Sequence, residues 1–272
     1  MLTVGSLFSG IGGLDLGLER AGMKVLWQVE IDDYCNKVLE KHWPGVRRYG
    51  DIKGIRWSEV EPVDLICGGF PCQPVSVAGA KKGDKDDRWL WPEFLRAICE
   101  VRPRYALMEN VLGLLSTDDG RLARSIHGDL AEAGYHSEQD CISAKEIGAP
   151  HRRERVFIMA YPEDEGSTGR VGFSANDSVF GQKWNHRRRR GRSIVGCKAL
   201  AHTTGEGFNS KNIREEGQTT RQAQWDSEPD LARVVDGPPT RMDKHRIKAI
   251  GNAVVPQVAE YIGRLIVEAD GT

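Results

Sequence analysis

The run Gly68-Gly69-Phe70-Pro71-Cys72-Gln73-Pro74 follows directly on the apolar stretch Val63-Asp64-Leu65-Ile66-Cys67. A cysteine between two prolines sits where helix and sheet are both discouraged, so Cys72 belongs to a loop of fixed shape. A sulfur held that way can be a nucleophile, a metal ligand, half of a disulfide, or chemically idle. None of the six cysteines forms a CxxC pair, so no metal site is expected. The N-terminus lacks a secretory signal and no apolar run is long enough to span a bilayer, so the chain is expected in the cytoplasm, away from membranes and reduced.

Three other places carry chemistry-bearing side chains. Glu109-Asn110-Val111 ends the apolar run Tyr105 to Met108, and Arg153 and Arg155 stand two apart ahead of Val156 to Ala160. A carboxylate at the carboxyl edge of a parallel sheet faces a ligand crevice, although a single Glu there can equally be a helix cap. Two arginines on one face of an extended chain can clamp a phosphate or orient a carboxylate, or simply be solvated. The third place is the glycine turn, Phe8-Ser9-Gly10-Ile11-Gly12-Gly13, with Glu30 twenty residues beyond Gly10. That spacing suits a nucleotide-type ligand whose ribose is held by the acid. The turn lacks the dinucleotide GxGxxG form because position 15 is Asp15. It therefore suits an adenosine cofactor without phosphates, such as S-adenosylmethionine, or serves only as a tight packing turn.

The elements that position these groups alternate. Leu2 to Phe8, Lys24 to Val29, Val63 to Cys67, Tyr105 to Met108 and Val156 to Ala160 read as strands. Between them, helices are expected from Leu14 to Gly22, from an Asp32 or Asp33 cap to His42, over 90–100, and from a Thr117-Asp118 cap to Gly134. A last helix begins at Pro256. This alternation points to an α/β fold, a mostly parallel Rossmann-like sheet with helices on both faces. Residues 162–232 break the pattern: they are rich in Gly, Ser, Thr, Asn and Arg and lack periodicity. Net charge is −1 overall, yet residues 170–214 hold ten basic side chains against Asp177 and Glu206, and Arg187 to Arg190 are consecutive. A basic island on an acidic body suggests one polyanion contact, or a solvated loop.

Taken in order, Phe8-x-Gly10-x-Gly12, Gly69-Phe70-Pro71-Cys72-Gln73, Glu109-Asn110-Val111, Pro150-x-x-Arg153-x-Arg155 and Gly251-Asn252-Ala253-Val254 resemble the DNA (cytosine-5)-methyltransferase family. The resemblance covers residues 1–161 and about 233–268, and its details look like the compact enzymes of bacteriophages and prophages. It implies an S-adenosylmethionine-dependent methyltransferase fold, with 1–161 and 233–272 as one discontinuous catalytic domain and 162–232 as a small target-recognition domain. It also implies that Cys72 adds to cytosine carbon 6 while Glu109 bonds ring N3 and the amino group. Arg155 would contact the base, and Arg153 would support the loop or a phosphate.

By the same resemblance the methyl donor lies over Phe8, Gly10, Gly12 and Gly13, with Glu30 on the ribose, Ile31 on the adenine, and Asp51 and Ile52 at the base edge. Pro71, Asn252 and Val254 close its pocket. Gln73, Ser76, Arg88, Arg187, Arg188, Arg189 and Arg190 would meet double-stranded DNA. His151 stands where the family usually has Gln. A monomer would suffice, and a cognate restriction endonuclease is compatible with the reading but not required by it. Methylation of tRNA is the nearest alternative, although the Cys-Phe-Thr motif of the family's tRNA branch is absent. A catalytically dead DNA-binding relative is the other.

Overall fold

The structure is a computed structural model that describes residues 1–71, 89–162 and 243–271. Its centre is a seven-stranded sheet. In chain order the strands are β1 (Thr3–Leu7), β2 (Lys24–Val29), β3 (Arg47–Tyr49), β4 (Leu65–Gly68), β5 (Tyr105–Val111), β6 (Tyr135–Ser143) and β7 (Glu154–Pro162). The spatial order is β3-β2-β1-β4-β5-β7-β6. The first five strands run parallel, whereas β7 is antiparallel to both β5 and β6. The strand order reverses between β1 and β4, which is where open α/β sheets form a ligand crevice at the carboxyl ends of their strands.

Alternation along the strands sends side chains into two cores. Ile66, Ala106, Met108, Val156, Ile158 and Ala160 face one side, with α3 (Trp91–Val101) and α5 (Arg121–Glu132) packed on them. Leu65, Cys67, Leu107, Phe157 and Met159 face the other, under α1 (Gly13–Arg20) and α7 (Pro256–Asp270). Period-two alternation and helices on both faces are thus one fact seen twice. Among the described residues the remaining α-helices are α2 (Asp33–His42), α4 (Gly113–Ser116) and α6 (Asp243–Asn252). Helix α7 returns from the far end of the chain onto α1. Gly17 lies so close to the Pro256 carbonyl and the Ala259 side chain that any Cβ there would collide.

Several boundaries differ from the sequence expectation. β3 and β6 were not expected; β6 carries the polar run His136-Ser137-Glu138-Gln139-Asp140 because it is an edge strand with one solvated face. Thr117-Asp118 does not cap α5. Asp118 and Asp119 adopt left-handed backbone, and Gly120 at φ 77° starts the helix. Cys35, Cys67 and Cys99 are free thiols. Among the described residues no helix is long and apolar enough to cross a membrane.

Beneath the glycine turn lies a buried polar knot. The fully buried Asp15 carboxylate accepts from Ser6 Oγ at 2.9 Å and from Gln28 Nε2 at 2.8 Å. Burial raises its pKa to about 6, against the pull of those two bonds. A raised carboxyl pKa means that this contribution to stability is full below about 3.8, the unfolded value, and is lost as pH climbs through about 6. Urea denaturation of the chain is expected to show stability falling by up to about 3 kcal/mol over that window, and Asp15→Asn should flatten this part of the profile.

Candidate active site

The carboxyl ends of β1, β2, β4 and β5 surround a cleft of about 740 Å³. Its floor is the turn after β1. Phe8, Gly10 and Gly12 all have positive φ, at 51°, 56° and 83°, and Gly12 N–H donates to Ser9 O at 2.9 Å to close the turn. Glu30 follows β2 and ties the floor to the next helix. Its Oε2 accepts from Gly10 N–H at 2.7 Å, and its Oε1 accepts from Asp32 N–H at 2.8 Å. Asp32 then caps α2 by accepting from the N–H groups of Tyr34 and Cys35. Ile31 projects an apolar side chain that is 71% exposed on the cleft wall, and Asp51 and Ile52 line the same side. Arg96 on α3 fixes that side by donating to the carbonyls of Ile52 and Ile55.

The opposite wall holds the acid. Glu109 lies on β5 and is 8% exposed. Gly69 makes room for it, because a Cβ there would come within 2.7 Å of Glu109 Oε2. Arg155 Nε meets Glu109 Oε1 at 3.1 Å; β5 and β7 pair in antiparallel register with Val111 opposite Arg155, which puts Arg155 diagonal to Glu109 on one face. Burial lifts the Glu109 carboxyl to about 7 although Arg155 and Arg153 pull it down. A carboxyl poised there can give or take a proton near neutrality. Asn110 Nδ2 donates to the Phe70 carbonyl at 3.2 Å, so β5 also holds the chain just before Pro71, which lines the cleft. On the far side of Phe70, its ring packs edge-on to Trp89 at 5.5 Å, so residues 70 and 89 are neighbours.

The cleft therefore gathers Phe8, Gly10, Gly13, Glu30, Ile31, Asp51, Ile52, Pro71, Glu109, Arg155, Asn252 and Val254. Gly12 and Arg153 are not on its wall. A Cβ on Gly12 would strike the Trp43 ring, so this glycine serves the turn and the α1 start, not the cleft surface. Arg153 Nη2 instead donates to the carbonyls of Gly251 and Ala253. His151 is exposed and also off the cleft wall. Cys72, Gln73, Ser76, Arg88, Arg187, Arg188, Arg189 and Arg190 lie outside the described residues.

The sequence reading missed Cys35, His245 and Lys248, which also line the cleft. Cys35 had a legible signal: it stands three residues past the cap Asp32, in the first turn of α2, beside Glu30. Lys248, 3.4 Å from Asp32 Oδ2, had none, since a 216-residue separation hides the pairing. The thiol of Cys35 is pushed up to about 12 by burial and by the nearby Glu30 and Asp32 carboxylates, so it is a poor nucleophile. Among the described residues, no group of three or more His, Cys, Asp or Glu could hold a metal ion.

A family model described as C-5 cytosine-specific DNA methylase matches residues 2–227. The Type II methyltransferase M.Bsp6I of Bacillus sp. (strain RFL6) is 34% identical over 165 residues, covering 59% of this chain and 52% of that protein. M.Eco47II of Escherichia coli is 40% identical over 168 residues, covering 60% of this chain and 40% of that protein. The chain thus spans about half the length of the curated relatives it matches. Among solved structures, an E. coli prophage-encoded protein described as a DNA modification methyltransferase aligns over 100% of both chains at 19% identity, with a TM-score of 0.62. A mutant DNMT2 of Spodoptera frugiperda aligns over 64% of this chain and 54% of its own at 22% identity, with a TM-score of 0.51. These two likenesses show the fold, that of the methyltransferases. The family match covers most of the sequence, and the chain belongs to the C-5 cytosine-specific DNA methylase family.

Proposed function

We propose that this chain transfers a methyl group from S-adenosylmethionine to carbon 5 of a cytosine lifted out of double-stranded DNA. The observation that carries the reading is the sharing of one cleft by Glu30 on its floor and Glu109 with Arg155 on its wall, with Pro71 at the edge. The floor fits an adenosine group that lacks phosphates. Each Glu30 oxygen spends one lone pair on a backbone amide and keeps another for ribose hydroxyls. Ile31 offers an apolar face to the adenine, and Gly10 leaves open space above the turn. When bound, S-adenosylmethionine supplies an electrophilic methyl group.

The protein's own groups prepare the base. Cytosine carbon 5 is a poor nucleophile, and the cysteine that follows Pro71 can change that. The Cys72 thiolate forms a bond to carbon 6, the ring double bond shifts its electrons toward carbon 5, and Glu109 gives its proton to N3. Arg155 stabilises the carboxylate left on Glu109. Carbon 5 then accepts the methyl group and loses its proton to a water molecule acting as base, the sulfur leaves carbon 6 as thiolate, and N3 returns its proton to Glu109, which restores the neutral aromatic ring and the acid. The base must leave the stack to enter the cleft, which costs a few kcal/mol.

Residues 162–232 are read as the target-recognition part that works with the discontinuous catalytic domain of 1–161 and 233–272; Gln73, Ser76 and Arg88 of the catalytic domain and Arg187 to Arg190 of the recognition part are read as the DNA contacts. Phosphate contacts position such a segment and base-edge contacts give it a sequence preference. The chemistry needs neither a second subunit nor a partner endonuclease, and it suits a cytoplasmic enzyme. Transfer of tritiated methyl groups to duplex DNA and to tRNA tests the substrate. Incorporation into DNA, with 5-methylcytosine mapped by bisulfite sequencing of plasmid from expressing cells, is the expected result. Incorporation into tRNA alone would replace this reading with the tRNA one.

A further inference from the structure

Two arginines flank Glu154, the first residue of β7, and their side chains go separate ways. Arg155 turns to Glu109, whereas Arg153 Nη2 reaches two carbonyl oxygens, Gly251 O and Ala253 O, both at 2.6 Å. Those carbonyls end α6 and begin the connector into α7. The end of a helix leaves carbonyls without intrahelical partners and carries partial negative charge, so a guanidinium there satisfies both. The connector's inner side brings Asn252, Ala253 and Val254 to the cleft. From the cleft floor, Gly13 meets the Val254 backbone so closely that a Cβ would collide with the Val254 carbonyl. The wall is held between a bare glycine on one side and a guanidinium on the other.

The turn that aims Arg153 is itself fixed. Arg153 has φ 35°, a left-handed value that a residue with a side chain adopts only when its surroundings enforce it. Ser143 Oγ donates to the Arg152 carbonyl at 2.8 Å and ties this turn to the end of β6. Glu109 keeps its own partner in Arg155, so Arg153 is spare for the connector.

We propose that Arg153 is a positioning residue for the methyl-donor half of the cleft, fastening the returning C-terminal connector against the glycine turn, and that it contacts neither the target base nor a phosphate. The proposal rests on the reading of the cleft floor as the donor site. Calorimetric titration of the full chain with S-adenosylmethionine, and anisotropy titration with a duplex oligonucleotide, separate the two roles. Arg153→Ala is expected to weaken donor binding about tenfold, the scale of losing a charge-assisted bond pair, with duplex affinity within about twofold of wild type. In methyl-transfer assays the larger change should fall on KM for the donor, not on kcat. Arg153→Lys, which keeps a cation able to reach one carbonyl, should recover part of the loss. Should the alanine variant fail to fold, the lysine variant carries the test, with donor binding about threefold weaker. Unchanged donor affinity in the folded variant, or a loss confined to duplex binding, overturns the proposal. Absence of donor binding to the wild-type chain would instead sink the donor-site reading.

Discussion

Cys72→Ser is expected to reduce methyl transfer to below about 10⁻⁴ of wild type while leaving S-adenosylmethionine affinity within about twofold. A serine hydroxyl has almost the same shape as the thiol but is neither as readily ionised nor as nucleophilic toward ring carbon 6. A free thiol near pKa ~8.5 is already a few per cent thiolate at neutrality. The described cysteines near the cleft offer no substitute. Burial drives the Cys35 thiol to about 12 and the Cys67 thiol well above its ordinary value, and Cys67 sits wholly inside β4. A duplex with 5-fluorocytosine at a modified site gives a second readout. Fluorine cannot leave as the ring proton does, so the wild-type chain should remain crosslinked to it in the presence of donor, and Cys72→Ser should not. A serine variant that still methylates near the wild-type rate would remove Cys72 as nucleophile.

The parts of the fold that were legible in the sequence are those with short-range causes. The strand alternation, the Asp32 cap of α2 and the helix over 90–100 all express local propensity, and the structure has them where the sequence put them. The spacing from Gly10 to Glu30 was also legible, because β1 and β2 pair directly and their ends fall together. Other features have long-range causes. Gly13 looked like one more glycine in a phosphate-free turn, yet the backbone of Val254 makes a side chain impossible there. Gly12 looked like a ligand contact but is turned toward Trp43. Arg153 and Arg155 looked like a matched pair on one face. The left-handed turn at 153 breaks the extended geometry on which that expectation rested, and the two guanidiniums serve different carbonyl and carboxylate partners. Strand β3 escaped notice because Arg47-Arg48-Tyr49 is too short and too charged to show a period.

Glu109→Gln should separate stability from activity in one substitution. The folded-state pKa of Glu109 is raised to about 7 from 4.5, first by burial. Its neutral form is therefore the one the fold favours. That contribution is intact below about 4.5 and is lost as pH rises through about 7, where the buried carboxylate ionises. Glutamine stays neutral at every pH and can still accept from Arg155 Nε through its side-chain oxygen. The variant should accordingly be more stable than wild type at pH 8, by up to about 3 kcal/mol, and nearly equal to it at pH 4. Its catalysis should move the other way. Glutamine has no carboxyl proton to give to N3, and loss of a positioned acid costs about 10²- to 10⁴-fold in rate. The pH profile of kcat/KM for DNA should also lose its limb near pH 7. Parallel melts and transfer assays on the same preparations check both halves. A variant that melts lower than wild type at pH 8, or that keeps the limb near 7, would mean that the buried carboxyl is not the group that protonates the base.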